Sequence, residues 1–173
     1  MLHSLTIENV VTVISAHIEF DSGFTVLTGE TGAGKSILLD ALGLVLGQRA
    51  ATDLIRDGEE GARVTASFFP ISGNVRDLLE EHGIQVDDTL IVRRNITRSG
   101  RNQIFINDIP TSLNLLNQIA PHLVDIHGQF DQILSPQNHL SYLDQFLSIN
   151  TKALTESHQL WRTAEKILRQ AEK

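Results

Sequence analysis

No cysteine occurs in the 173 residues, which excludes a disulfide framework, a thiolate metal site and a catalytic thiol. Aromatic residues make up only 5% of the chain, with one Trp and one Tyr. That is too few for a stacking platform for single-stranded nucleic acid. No apolar run approaches the ~20 residues that cross a bilayer. The first Lys or Arg is Lys35, so the N-terminus lacks the charged region of a secretory signal. The chain reads as soluble and cytoplasmic, with no membrane partner. Positive charge is scarce as well, with 14 Lys and Arg against 21 Asp and Glu, a net charge of -7. This is the wrong sign for a surface devoted to neutralising phosphates. Any DNA must be met locally, and binding of this chain alone to DNA is expected to be weak.

The composition, 41% hydrophobic and 20% charged, suffices for one core-bearing domain. Leu5–Ile7 and Val11–Phe20 carry β-branched, partly alternating patterns, broken at Glu8-Asn9 and at Asp21-Ser22-Gly23, and predict two antiparallel strands. A third run, Phe24–Thr28, predicts a strand followed by a glycine-rich turn and a buried helix from Ser36 to Leu46, with Gly47 as its C-cap. After this helix come antiparallel β elements. These are Val64–Phe69, stopped by Pro70, and a hairpin in which Leu90–Ile96 and Gln103–Ile106 flank Ser99–Asn102. A helix from Val75 to His82 lies between them. Ser112 caps a short helix through Ile119, and His122–Ile126 is a buried-strand candidate. From residue 143, Leu147, Leu154, Trp161 and Leu168 recur every seven residues. This short heptad register competes with an ordinary amphipathic helix.

The chemistry resides in Gly29-Glu30-Thr31-Gly32-Ala33-Gly34-Lys35-Ser36, a complete G-x-x-x-x-G-K-[ST] motif between a predicted strand and a predicted helix. Its glycines let backbone N–H groups wrap phosphate oxygens, and the helix start directs its positive dipole end at the anion. Lys35 would reach the β and γ phosphates. Ser36 would place its hydroxyl on Mg²⁺, which takes a few protein oxygens beside phosphate and water.

Three nucleotide-using classes fit such a loop. For a GTPase, Asp125-Ile126-His127-Gly128 matches D-x-x-G, but no Asn-Lys-x-Asp follows. A small kinase would use clustered lid arginines, and Arg93, Arg94, Arg98 and Arg101 do cluster, although a solvated β face explains them equally. The third class is an ABC-type ATPase head. His122, His127 and His139 read as structural histidines, because their spacing across a probable strand does not suit a metal site.

Leu5-Thr6-Ile7-Glu8-Asn9, the phosphate loop, Leu46-Gly47-Gln48-Arg49-Ala50, Leu54-Ile55-Arg56-Asp57-Gly58 and Leu123-Val124-Asp125-Ile126-His127-Gly128-Gln129 occur in that order. Together they resemble the RecN family of bacterial DNA repair proteins, relatives of the SMC ATPases. The resemblance implies an α/β P-loop NTPase fold with an antiparallel β subdomain and the start of a coiled-coil arm. Residues 1–142 would be the N-terminal part of the head and 143–173 the root of the arm. It implies ATP and Mg²⁺ as cofactors, with Gln129 reaching both the metal and the attacking water, a role suited to a neutral amide. Arg49 matches an arginine close to nucleotide and DNA in SMC relatives, with a solvated arginine after a helix as the plainer reading. The family's His-rich continuation is replaced here by Phe130-Asp131-Gln132.

Neither a Ser-Gly-Gly signature nor a strand ending in Asp-Glu is found, and the terminal helix runs to Lys173 without a stop signal. The expected protein is therefore half a head. Its partners would be the C-terminal half of the same head, a second copy through ATP-sandwiched heads, and DNA, in a nucleoid-associated setting. The implied function is ATP-dependent recombinational repair of double-strand breaks. A stand-alone nucleotide-binding or dimerisation module is the alternative.

Overall fold

The computed structural model describes residues 1–28 and 34–124, together with Leu143, Ser157, Leu160, Trp161, Ala164 and Glu165. The chain divides into two compact units, Met1–Asp125 and Ile126–Lys173. In the first, the elements run β1 (Leu2–Val10), β2 (Val13–Glu19), α1 (Lys35–Val45), β3 (Gly61–Phe68), α2 (Gly73–Glu81), β4 (Leu90–Thr97), β5 (Asn102–Ile106), β6 (Ile109–Thr111) and α3 (Leu113–Ile119). Single turns of 3₁₀ helix occur at Thr52–Leu54 and Ala120–His122.

The strands form one sheet in the order β2-β1-β3-β4-β5-β6, with every pairing antiparallel. The two strands before the phosphate loop and the four after α1 therefore belong to a single layer, joined where Ile7 pairs with Val64. Period-two alternation decides which side is buried. Leu5 and Ile7 on β1, Val64, Ala66 and Phe68 on β3, and Leu90, Val92 and Ile96 on β4 face one core, which also receives Ile37, Ala41, Leu44 and Val45 from α1. The opposite side carries Ser4, Thr6, Glu8, Arg63, Thr65 and Ser67, with Ser4 Oγ 2.6 Å from Ser67 Oγ and Thr6 Oγ1 2.8 Å from His17 Nδ1. One layer of helices on one face of an antiparallel sheet suffices to bury that apolar side.

Most predicted elements are found, and the exceptions have identifiable causes. The break expected at Glu8-Asn9 does not end β1. Asn9 turns to φ 57° while pairing continues to Val10, and the chain reverses at Val11-Thr12. The segment Leu54–Arg56 secures this end of the hairpin: Val11 N–H donates to Leu54 O at 2.9 Å, and Arg56 N–H donates to Asn9 O at 2.9 Å.

Phe24–Thr28 is the clearest departure, since it forms no strand. Phe24 is 93% exposed and Val26 62%, and no strand among the described residues lies beside this run to pair with it. A β-rich segment without a neighbour gains neither ladder bonds nor burial. His122 lies in a 3₁₀ turn instead of a strand, and Leu123 and Val124 are half-buried without regular structure. The hairpin and the Ser112 cap are as expected: Thr97 N–H donates to Arg101 O at 3.0 Å, and Ser112 Oγ accepts from Leu115 N at 3.2 Å.

In the second unit the six described residues are helical, and Leu160 and Trp161 are exposed. Leu147, Leu154 and Leu168 of the heptad register lie outside the described residues, as does the boundary expected after residue 142. No helix among the described residues is long and apolar enough to cross a membrane.

Candidate functional site

Gly34, Lys35 and Ser36 form the entry to α1. Gly34 is the N-cap and makes no side-chain cap hydrogen bond, and the first turn has no acidic residue. The first intrahelical bond runs from Leu38 N–H to Gly34 O at 3.1 Å, so the amides of Ser36 and Ile37 have no acceptor within the helix. Natural helix starts are usually covered by a Ser, Thr, Asp or Asn cap. Here the N-cap is Gly34, which has no side chain to cap with, so among the described residues this start is uncapped; Ser36 is exposed at its rim. An uncapped helix start with a lysine and a hydroxyl at its first two positions fits a phosphate group with its metal. Gly29, Glu30, Thr31, Gly32 and Ala33, the rest of the loop, lie outside the described residues. So does Gln129, the second expected metal ligand and catalytic residue. Among the described residues no cluster of His, Asp and Glu could hold a metal.

The far end of α1 is built with equal care. Leu46 N–H donates to Leu42 O at 3.0 Å. Gln48 N–H turns back to Gly43 O at 2.9 Å. Gly47 sits at φ +96°, a conformation that favours glycine, and a Cβ there would meet Asn117 Oδ1 on α3, whose side chain would have to move. Below this turn lies Arg94, 1% exposed. Its Nη1 donates to Leu44 O at 2.6 Å and to Gln48 O at 2.5 Å, and its Nε donates to Asn102 Oδ1 at 2.9 Å. A guanidinium placed on the carbonyl end of a helix satisfies orphan acceptors and opposes the negative end of the dipole. Burial pushes its pKa below the usual arginine value. Arginine nevertheless stays charged inside proteins.

This corrects the reading of Arg93, Arg94, Arg98 and Arg101 as a common solvated cluster. Arg93 stacks over Phe105 at 4.7 Å and pairs with Asp108 at 2.8 Å. Arg98 donates to Glu59 O and Arg56 O. Arg94 is core. The signal was in the sequence, because the alternation Leu90, Val92, Ile96 places residue 94 on the apolar side. Arg94 bonds at the C-terminal end of α1, and Arg93 and Arg98 engage Asp108, Glu59 and Arg56, not the Gly34–Ser36 helix start. Arg49 is exposed beyond Gln48, at the opposite end of α1 from Lys35. The helix has 11 residues, about 16 Å of rise, so the described structure does not bring Arg49 beside Lys35 and Ser36.

Residues 4–173 match the family described as AAA domain. The chain is 40% identical over 176 residues to DNA repair protein RecN of Vibrio cholerae serotype O1, covering 98% of this chain and 32% of that protein. It is 38% identical over 163 residues to RecN of Bacillus subtilis strain 168, covering 92% and 28%. It thus spans about a third of the length of the curated relatives it matches. Among solved structures it resembles the Smc head domain with a coiled coil and joint from Pyrococcus yayanosii, with a TM-score of 0.67 and 22% identity over 99% of this chain and 36% of that one. A chain from a study of ATP-driven dimerization and DNA stimulated activation of SMC ATPases gives a TM-score of 0.59 at 23% identity, covering 84% and 98%. The fold is that of an SMC-type P-loop head, the sequence is similar to RecN almost throughout, and the chain belongs to the AAA domain family.

Proposed function

We propose that this chain is the ATP-binding part of an SMC-like ATPase that acts in recombinational repair of DNA double-strand breaks. The observation that carries the reading is the uncapped start of α1 with Lys35 and Ser36 at its first two positions, on a chain similar to RecN along nearly its whole length. Gly29 to Ser36 hold the phosphates of ATP, Lys35 neutralises the β and γ oxygens, and Ser36 and Gln129 supply oxygens to Mg²⁺. Mg²⁺ held there would supply positive charge against the γ phosphate. Gln129 positions the attacking water through its amide.

Hydrolysis needs positioned water, metal and γ-phosphate stabilisation together. This chain supplies the loop, the hydroxyl and one amide, and no signature motif or acidic base. The remaining parts come from the complementary portion of a longer protein and from a second head across the nucleotide. Phe24–Thr28 agrees with that picture, since it is β-rich, exposed and without a strand partner among the described residues, and a strand from the complementary portion would give it the pairing it lacks here. Arg49, at the other end of α1, serves DNA in preference to the nucleotide held at the helix start.

Titration of the chain with ATP tests the reading. One site should fill in the presence of Mg²⁺. In Ser36→Ala the gain in affinity on replacing EDTA by Mg²⁺ should fall by roughly tenfold, about one hydrogen bond to a charged group, while affinity in EDTA stays near wild type. Equal Mg²⁺ dependence in both proteins would remove Ser36 from the metal site.

A further inference from the structure

The six-stranded sheet ends in β2 on one side and β6 on the other, and the two edges are built differently. β6 is three residues long and carries Pro110. A short edge with one amide removed resists pairing with another chain. β2 is seven residues long, Val13-Ile14-Ser15-Ala16-His17-Ile18-Glu19, and has no proline, glycine, lysine or arginine to blunt it. Its Ile14 is 64% exposed.

The hydrogen-bond phase between β1 and β2 decides which groups of this edge are free. Phe20 N–H donates to His3 O at 2.8 Å, beside the pair Ser4 and Glu19. Antiparallel pairs alternate, so Ile18 and Ala16 also turn their N–H and C=O towards β1. Those of Val13, Ser15, His17 and Glu19 point outward, and among the described residues no hydrogen bond reaches that outer row. Side chains divide by the same alternation. Ala16 pairs with Ile7 and Ile18 with Leu5, which sets Ile14, Ala16 and Ile18 on the core side of the sheet and Ser15, His17 and Glu19 on the polar side.

We propose that the outer edge of β2 is an interface for a second copy of this chain, the two β2 strands pairing antiparallel about a two-fold axis at Ala16. A two-fold contact between identical strand edges is self-complementary and antiparallel. Centred on Ala16, Ser15 of one protomer bonds His17 of its partner and Val13 bonds Glu19, about eight backbone hydrogen bonds in all. Ala16 meets its own copy where the strands come closest, and Ile14 packs on the copy's Ile18 on both sides of the axis. No carboxylate faces a carboxylate. Centring on His17 would set two imidazoles against each other, and centring on Ser15 would leave Ile14 opposite Ala16. The pairing forms without nucleotide and goes beyond the closing of two heads over ATP.

The chain has no cysteine, so one introduced thiol reports the register. In Ala16→Cys the two Cα atoms would stand about 4.5 Å apart, within disulfide range, and mild oxidation without nucleotide should turn most of the protein into a covalent dimer. In Ile14→Cys the two thiols would lie four residues apart along the strands, about 13 Å, and crosslinking should be slight. Ser15→Pro removes an outward N–H and spares the β1 ladder. It should keep the wild-type unfolding midpoint, while the two bonds lost per dimer lower crosslinking of Ala16→Cys roughly tenfold. Lys35→Ala should leave that crosslinking unchanged, which separates this contact from pairing over ATP. An Ala16→Cys protein that stays monomeric, or that crosslinks no faster than Ile14→Cys, would overturn the proposal, as would undiminished crosslinking in the Ser15→Pro background. Loss of the crosslink when the complementary portion is added would assign the edge to a strand of that portion and overturn it equally.

Discussion

Lys35→Ala is expected to weaken binding of Mg²⁺-ATP by about a hundredfold to a few thousandfold in a calorimetric titration. The ammonium sits at the first position of α1, where the helix start and loop amides already favour an anion. It adds a full charge that can bond both β and γ oxygens. Two hydrogen bonds involving charged groups amount to roughly 3–5 kcal/mol, and each 1.4 kcal/mol is about tenfold in affinity. Lys35 is half-buried at the start of the helix and is not one of its core residues Ile37, Ala41 and Leu44. The unfolding midpoint should therefore stay close to wild type, and the loss will read as loss of a contact. Unchanged affinity in Lys35→Ala would mean that nucleotide is not held at α1.

The second large effect concerns turnover. With the complementary part of the proposed head supplied, Gln129→Ala should lower ATP turnover by about 10² or more while weakening ATP binding less than tenfold. An interaction made chiefly with attacking water and metal acts on the transition state more than on the ground state. A parallel fall in binding and turnover would instead assign Gln129 to holding the nucleotide.

How much of this was legible in the sequence follows from where each signal is stored. The phosphate loop is a contiguous motif whose spacing encodes its own geometry, and period-two runs such as Leu90-Val92 and Ile104-Ile106 declare their core side locally. That β1 would pair with β3, across the whole of α1, depends on long-range register, and no local pattern expresses it. Phe24–Thr28 has the composition of a strand, but a strand exists only beside a partner. Propensity therefore reports what the segment could do in company, not what it does among the described residues. Arg94 shows a different limit. Charge suggested solvent and alternation indicated the core, and alternation prevailed because Leu44 O, Gln48 O and Asn102 Oδ1 accept from Nη1 and Nε, leaving Nη2 as the buried group without a partner among the described residues. Likewise, Arg49 is four residues beyond α1 in sequence, and only the straight run of that helix reveals its distance from Lys35.

The central claim, that this chain binds ATP without being able to hydrolyse it alone, is tested most directly by measuring steady-state ATP turnover on the purified 173-residue chain under saturating Mg²⁺-ATP, with Lys35→Ala as the control for contaminating enzymes. The account predicts that the wild-type chain binds ATP yet shows no turnover above that control, and that turnover appears when the complementary part of the protein is added. Sustained hydrolysis by the chain alone, abolished in Lys35→Ala, would contradict it.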